Sequence, residues 1–267
     1  MCGRFVSARK RLELLEKFAA ERDSVGEDRN PDYNVAPTKR IYAVREYGRG
    51  GQGGPVAPLG ETERELRLVR WGLVPPWAKD TKGGARMINA RAETVAVKPA
   101  FRSAFKRRRC IIPADGYYEW QTVDKAKQPH YIYRTDGGIL AFAGIYELWR
   151  DESVPEDHEN AWFWSAAIIT TDATDDIGRI HDRTPMVIAP ESWTDWLDPA
   201  NNDKELLLAT MQPATSSGAG GLTSYPVSTA VNSVRNNGPA LVEPLGDAGS
   251  LAGGPGSGDD RERPPQF

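Results

Sequence analysis

The residue with the most chemistry open to it is the second, in Met1-Cys2-Gly3-Arg4-Phe5. A side chain as small as cysteine at that position lets the initiator methionine be removed. Cys2 would then carry two nucleophiles, a thiol and a free α-amine. With a pKa of about 7.7–8.0, against about 10.4 for lysine, the amine is about one-tenth to one-sixth uncharged at pH 7. The thiol, with a pKa near about 8.5, adds a minor thiolate fraction, larger beside a cation. One residue can therefore attack the same carbonyl carbon twice, first through nitrogen and then through sulfur. Taken alone, Cys2 reads better as a small apolar residue at a frayed end, so the case for chemistry rests on the rest of the chain.

Three other places put polar groups where a strand pattern prefers apolar ones. Glu119 stands between Tyr118 and Trp120, surroundings that raise a carboxyl pKa and suit proton transfer. Asn89 and Arg91 alternate around Ala90, so in an extended segment they share a face. His181, one of three histidines, adjoins Asp182 and Arg183. Each has a plain structural reading as well: an ion pair, a turn or a buried hydrogen bond.

The elements that must position these groups are short. The pattern predicts a helix over 8–22, capped by Ser7, with Leu12, Leu15, Phe18 and Ala19 as its apolar stripe. Strands are expected at 40–47, 66–71, 110–113, 131–134, 139–145, 162–170 and 224–227. Helices are expected near Pro99, which suits a first turn, and around 191–197 and 203–211. Residues 48–62 read as a Gly/Pro-rich flexible loop, 151–160 as an acidic surface insert, and 246–267 as a disordered tail. Many short strands with few helices imply one mainly β, α+β domain over 2–245.

Composition narrows the function classes. Apolar residues make up 39% of 267, with eight Trp, enough for one sizeable core. Two cysteines, Cys2 and Cys110, form no disulfide framework and fit a reducing cytoplasm. No apolar run is long enough for a membrane span, and no signal peptide opens the chain. Cys2, Cys110, His130, His158 and His181 lack ligand spacing, so neither a metal nor another cofactor is expected.

The net charge of −3 hides a gradient. Between Arg64 and Arg109 there are thirteen Lys/Arg against Glu65, Asp80 and Glu93, a local excess of ten. Interleaved with Trp71, Trp77, Phe101 and Phe105, that charge suits a groove tracking single-stranded nucleic acid, with aromatic platforms for stacking. It reads equally well as a solvated face over aromatics that serve the core.

Six motifs follow one another: Met1-Cys2-Gly3-Arg4-Phe5, Tyr33-Asn34-Val35-Ala36-Pro37, Arg70-Trp71-Gly72-Leu73-Val74-Pro75, Asn89-Ala90-Arg91-Ala92-Glu93, Gly116-Tyr117-Tyr118-Glu119-Trp120 and His181-Asp182-Arg183-Thr184-Pro185-Met186. The series resembles the SRAP (SOS response-associated peptidase) family from about Cys2 to Pro244. The resemblance implies a sensor and shield of abasic sites in single-stranded DNA, acting as a monomer in the cytoplasm. It implies a covalent thiazolidine through Cys2, with self-cleavage at Met1–Cys2 and lyase activity as companion reactions. Asn89 would orient the linkage, and Glu119 and His181 would move protons. Arg4, Arg91 and Arg183 would hold phosphates, while Pro37, Trp71, Trp77 and Thr171 shape the DNA channel. Pro99 stands near a position where some members contact DNA through arginine, and Lys98 or Arg102 would take that part. Two alternatives stay open: an N-terminal-Cys hydrolase of the glutamine amidotransferase type, and a single-stranded DNA binder in which Cys2 is idle.

Overall fold

The computed structural model describes residues 2–48, 62–158, 161–173, 175–215 and 221–246. The expected loop (its residues 49–61), the last two residues of the acidic insert and the tail from 247 on lie outside the described residues. In chain order the strands are β1 (Phe5–Ser7), β2 (Arg22–Asp23), β3 (Asp32–Val35), β4 (Arg40–Gly48), β5 (Thr62–Trp71), β6 (Asn89–Arg91) and β7 (Arg109–Ala114). They continue with β8 (Gly116–Val123), β9 (Ala126–Arg134), β10 (Leu140–Arg150), β11 (Trp162–Asp172), β12 (Arg183–Ile188), β13 (Met211–Pro213) and β14 (Leu222–Pro226). Five short helices stand among them: α1 (Arg11–Lys17), α2 (Ala92–Val95), α3 (Arg102–Arg107), α4 (Trp193–Leu197) and α5 (Lys204–Thr210). The fold is α+β and mainly β, and no described helix is long and apolar enough to cross a membrane.

Two sheets organise it. One has the order β14-β9-β8-β1-β3. In the other, β7 pairs with β4, β4 with β5, β5 with β11, β11 with β10 and β10 with β7, so the pairings close on themselves. The long β11 makes closure possible: its first part pairs with β10, and its last residues pass to β6 on one edge and β12 on the other.

Side-chain alternation along these strands builds three apolar clusters. Phe5, Tyr117 and Ile132 of the smaller sheet meet Ile41, Trp71, Ile112, Phe142 and Ile168 of the closed one, and Cys2 lies in this cluster. The opposite face of the smaller sheet, with Val6, Tyr118 and Tyr131, is covered by Val231, Leu241 and Val242 from the last described turns. The other face of the closed sheet packs against the helices through Leu14, Phe18, Phe105, Trp196 and Leu207.

The first helix differs from the sequence pattern. Ser7 ends β1 instead of capping, because the Asp115 carboxylate takes the Ala8 amide at 2.6 Å and holds the chain extended. Helix α1 starts only at Arg11; Leu14 and Phe18, four apart, turn inward, while Leu12 is 62% exposed.

The segment between β5 and β6 turns at Gly72 (φ +124°), whose amide donates to Ala166 O. A Cβ there would sit 2.5 Å from Gly84 O, so two backbone runs touch where only glycine fits. This crossing carries the chain from Trp71 to Asn89. Gly72→Ala should therefore cost about 2 kcal/mol more than Gly26→Ala, whose added Cβ meets nothing. Denaturant midpoints check this, and equal losses would contradict it.

Candidate active site

Cys2 is buried before β1, and its position follows from strand register. Phe5 pairs with Tyr117 and Val6 with Gly116, and Tyr118 N donates to Arg4 O. Carried back along the chain, this register sets Gly3 opposite Glu119 and puts Cys2 beside that carboxyl. The Arg4 amide hydrogen-bonds the thiol, and Asn89 Nδ2 donates to Cys2 O at 2.9 Å. Asn89 comes from β6, which β11 holds in parallel through Ile168↔Asn89. Asn89 Oδ1 is buried and has no hydrogen-bond partner among the described residues.

Burial sets the electrostatics. Glu119 is 2% exposed, and desolvation of its charged form lifts the carboxyl to about 7. Burial, with the Glu119 charge adding to it, pushes the Cys2 thiol well up and keeps it protonated. His181 Nε2 lies 3.9 Å from Glu119 Oε2. Burial lowers the His181 pKa, so the ring is neutral near pH 7. The Arg183 amide donates to His181 Nδ1 at 3.0 Å, while Asp182 Oδ1 lies 2.8 Å from the same nitrogen. Both cannot be hydrogen bonds to one neutral nitrogen; because the Asp182 side chain is 86% exposed, the amide bond fits better. That choice leaves the proton on Nε2, facing Glu119. A carboxyl poised near neutrality beside a neutral imidazole can both give and take protons around Cys2.

The structure thus brings Cys2, Asn89, Glu119 and His181 together. The other expected residues divide. Arg91, on the same strand face as Asn89, is exposed, as are Lys98 and Arg102, and none forms an ion pair among the described residues. Trp77 is 61% exposed on a segment pinned by Trp149 Nε1 donating to Ala78 O at 2.7 Å. Pro37 sits half-buried before Thr38, whose amide donates to Trp71 O.

Other expected contacts face inward. Trp71 is fully buried against Phe5 (ring centroids 5.1 Å apart) and donates to Ile88 O at 3.0 Å, so it offers no stacking surface. Phe101 and Phe105 belong to the core, the inward packing that their spacing of four implies. Arg4 donates to Asn34 Oδ1 at 2.6 Å and Val231 O at 2.7 Å, joining the first residues to the last turns. Arg183 lies between Glu93 (3.0 Å), Asp172 (2.5 Å) and Thr170 O (2.6 Å). Thr171 Oγ1 reaches the same Glu93 at 3.1 Å. The basic surplus is also partly internal: Arg109 is buried with five bonds to carbonyl oxygens, and Arg108 pairs with Glu147 at 2.7 Å. Among the described residues no three His, Cys, Asp or Glu converge on a metal position.

Sequence reasoning missed Tyr117, which backs Cys2 and reaches Thr184 Oγ1 at 3.3 Å. Val123 and Ala126 flank a two-residue turn, Asp124-Lys125, that fixes every pair along the hairpin.

The sequence model of the SOS response associated peptidase (SRAP) family matches residues 1–234. The chain belongs to this family. It is 38% identical to the abasic site processing protein YoqW of Bacillus subtilis over 244 residues, which span 91% of this chain and 99% of that one. It is 33% identical to the abasic site processing protein YedK of Escherichia coli over 92% of this chain and all of the other. A crystal structure of a Bacteroides thetaiotaomicron protein shares the fold at a TM-score of 0.70 and 23% identity, covering 91% of this chain and 100% of that one.

In this family member Glu119 carries a stability signature. Its folded pKa lies above the ordinary carboxylate value, so the native state holds a proton that the unfolded chain has released. Stability falls as pH rises from about 4.3 to about 7 and is then level, a loss on the order of 3 kcal/mol. Glu119→Gln removes that slope, making the variant more stable than the parent at pH 8. Urea midpoints at pH 5 and pH 8 test this, and identical pH slopes would contradict it.

Proposed function

We propose that the chain processes abasic sites in single-stranded DNA by trapping the ring-opened sugar aldehyde on Cys2. One observation carries the reading: a small buried nucleophile, held through its carbonyl by Asn89, lies beside a carboxyl poised at about 7. The relatives' names point the same way.

Once Met1 is removed, the uncharged Cys2 amine attacks the aldehyde carbon. Water leaves, giving an imine. The thiol then adds to the imine carbon: an S–C bond forms, the thiol proton ends on nitrogen, and a five-membered thiazolidine closes. Because the thiol is held protonated, ring closure needs a group that takes this proton and delivers it to nitrogen, a part suited to Glu119. His181, with Nε2–H toward Glu119, assists the earlier opening of the sugar. Attack within one residue gains from proximity, which favours the ring over an open imine. While Met1 remains, the nitrogen is an amide and the ring cannot form. The same imine also permits β-elimination, so strand cleavage is a side reaction, and self-cleavage at Met1–Cys2 would draw on the same groups.

For phosphates we assign Arg91, Lys98 and Arg102, which are exposed and unpaired among the described residues, with Trp77 as the stacking platform. Arg4 and Arg183 act differently in this reading: their bonds tie the first residues to the last turns and hold β12, which starts beside His181, against β11 and α2.

Met1-processed protein incubated with single-stranded DNA bearing one abasic site should give a heat-stable covalent adduct. Cys2→Ala should abolish it while leaving DNA affinity within about twofold. A stable adduct formed by the alanine variant would overturn the assignment, and DNA binding without any adduct in the parent would favour a non-covalent binder. Affinity should fall steeply as salt rises from 50 to 200 mM, by about tenfold or more for a few phosphate contacts. An affinity indifferent to salt would refute the basic face.

A further inference from the structure

The run Lys106-Arg107-Arg108-Arg109 divides in two. Arg108 and Arg109 turn inward to Glu147 and to carbonyl oxygens, whereas Lys106 and Arg107 stand exposed at the end of α3. Ala104 and Phe105 hold the other face of α3 in the core, as Phe101 does just before it. The turn leading into α3 continues the same winding, because Phe101 N and Arg102 N both donate to Lys98 O. Lys98, Arg102 and Lys106 are therefore spaced by four along one exposed face, a row of about 12 Å at the helical rise. The side chains of Lys98, Arg102, Lys106 and Arg107 have no hydrogen bond or ion pair among the described residues. No carboxylate occurs in the sequence from Thr94 to Ala114.

Helix energetics do not explain this row. Like charges four apart oppose a helix, and the macrodipole disfavours the cations at its start, Lys98 and Arg102. The dipole favours Lys106 and Arg107 alone, in the last turn. Outward cations kept against these terms fit an external polyanion. Continuity with the site selects which one: from Asn89, which holds Cys2, the chain runs through Arg91 and α2 into Lys98. Val97, 59% exposed beside Lys98, adds an apolar contact suited to a base or sugar. We infer that Lys106 and Arg107 extend the phosphate-binding surface along α3, gripping the strand on one side of the abasic nucleotide. This rests on the proposed single-stranded DNA reading and deepens it. At a rise of about 3.4 Å per nucleotide, the row adds roughly three nucleotides to the footprint.

The test uses single-stranded oligonucleotides whose abasic sugar is reduced, leaving no aldehyde to trap. About ten nucleotides, within the range of single-strand binding sites, extend from that sugar on the 5′ side only or on the 3′ side only. Fluorescence anisotropy gives affinity against salt for the parent, Lys106→Gln/Arg107→Gln and the charge-keeping Lys106→Arg/Arg107→Lys. Both positions are exposed, so these substitutions leave the core face of α3 untouched. The neutral variant should bind one oligonucleotide about tenfold more weakly and the other like the parent. Its salt slope with the first should fall by about 1.4, at about 0.7 per lost phosphate contact. The charge-keeping variant should match the parent, and adduct formation at saturating abasic-site DNA should be the same in all three. Parent-like affinity and slope with both oligonucleotides in the neutral variant would overturn the inference while leaving the trapping reaction intact. An equal loss with both would mark a general field instead of a track and would overturn it too. A parent that binds neither oligonucleotide would overturn the single-stranded DNA reading, and the inference with it.

Discussion

The structure depends on one pairing, that of β1 with β8. Three residues of strand, Phe5–Ser7, are little by themselves, but Phe5 lands opposite Tyr117 and between Trp71 and Phe142. That anchor draws the beginning of the chain, a segment that usually frays, into the space between two sheets. Arg4 secures it from the other side by reaching Asn34 and Val231, so the first and last described parts of the chain hold each other in place. Cys2 is buried as a consequence of this packing.

Burial then sets the chemistry. The desolvation that raises Glu119 to about 7 also keeps the Cys2 thiol protonated and the His181 ring neutral. A thiol beside a cation would be a standing thiolate, reactive toward many partners. Here the thiol is held protonated, and the titratable group beside it is a carboxyl that takes up a proton near neutrality. Asn89 holds Cys2 through its carbonyl oxygen and leaves the thiol and the backbone nitrogen unengaged by the amide. The Gly72–Gly84 contact matters to this arrangement because it lies on the stretch of chain that delivers Asn89.

The sequence made the fold class and the ordered motifs legible, since strand alternation and motif order survive without coordinates. It also indicated Cys2, Asn89, Glu119 and His181 as the polar outliers. Which of them meet was invisible, because Cys2 and Asn89 are 87 positions apart and are joined only through two different sheets. Charge was misleading for a related reason: composition counts Arg109 in the basic stretch and the family resemblance gives Arg183 a phosphate, but carbonyl and carboxylate oxygens enclose both side chains. Trp71 looked like a platform and is a foundation. The helix stripe held at Leu15 and Phe18 but not at Leu12 and Ala19, and the helix starts late because Asp115, distant in sequence, captures the Ala8 amide.

The central claim is that both nucleophilic atoms of Cys2 become bonded to one sugar carbon. Intact mass and peptide mapping of the purified protein–DNA adduct, prepared without reductant, test this directly. The account predicts a mass equal to Met1-lacking protein plus DNA less one water, with the sugar carried on the peptide that begins at Cys2. A linkage mapped to a lysine, or an adduct recovered only after reduction, would contradict it.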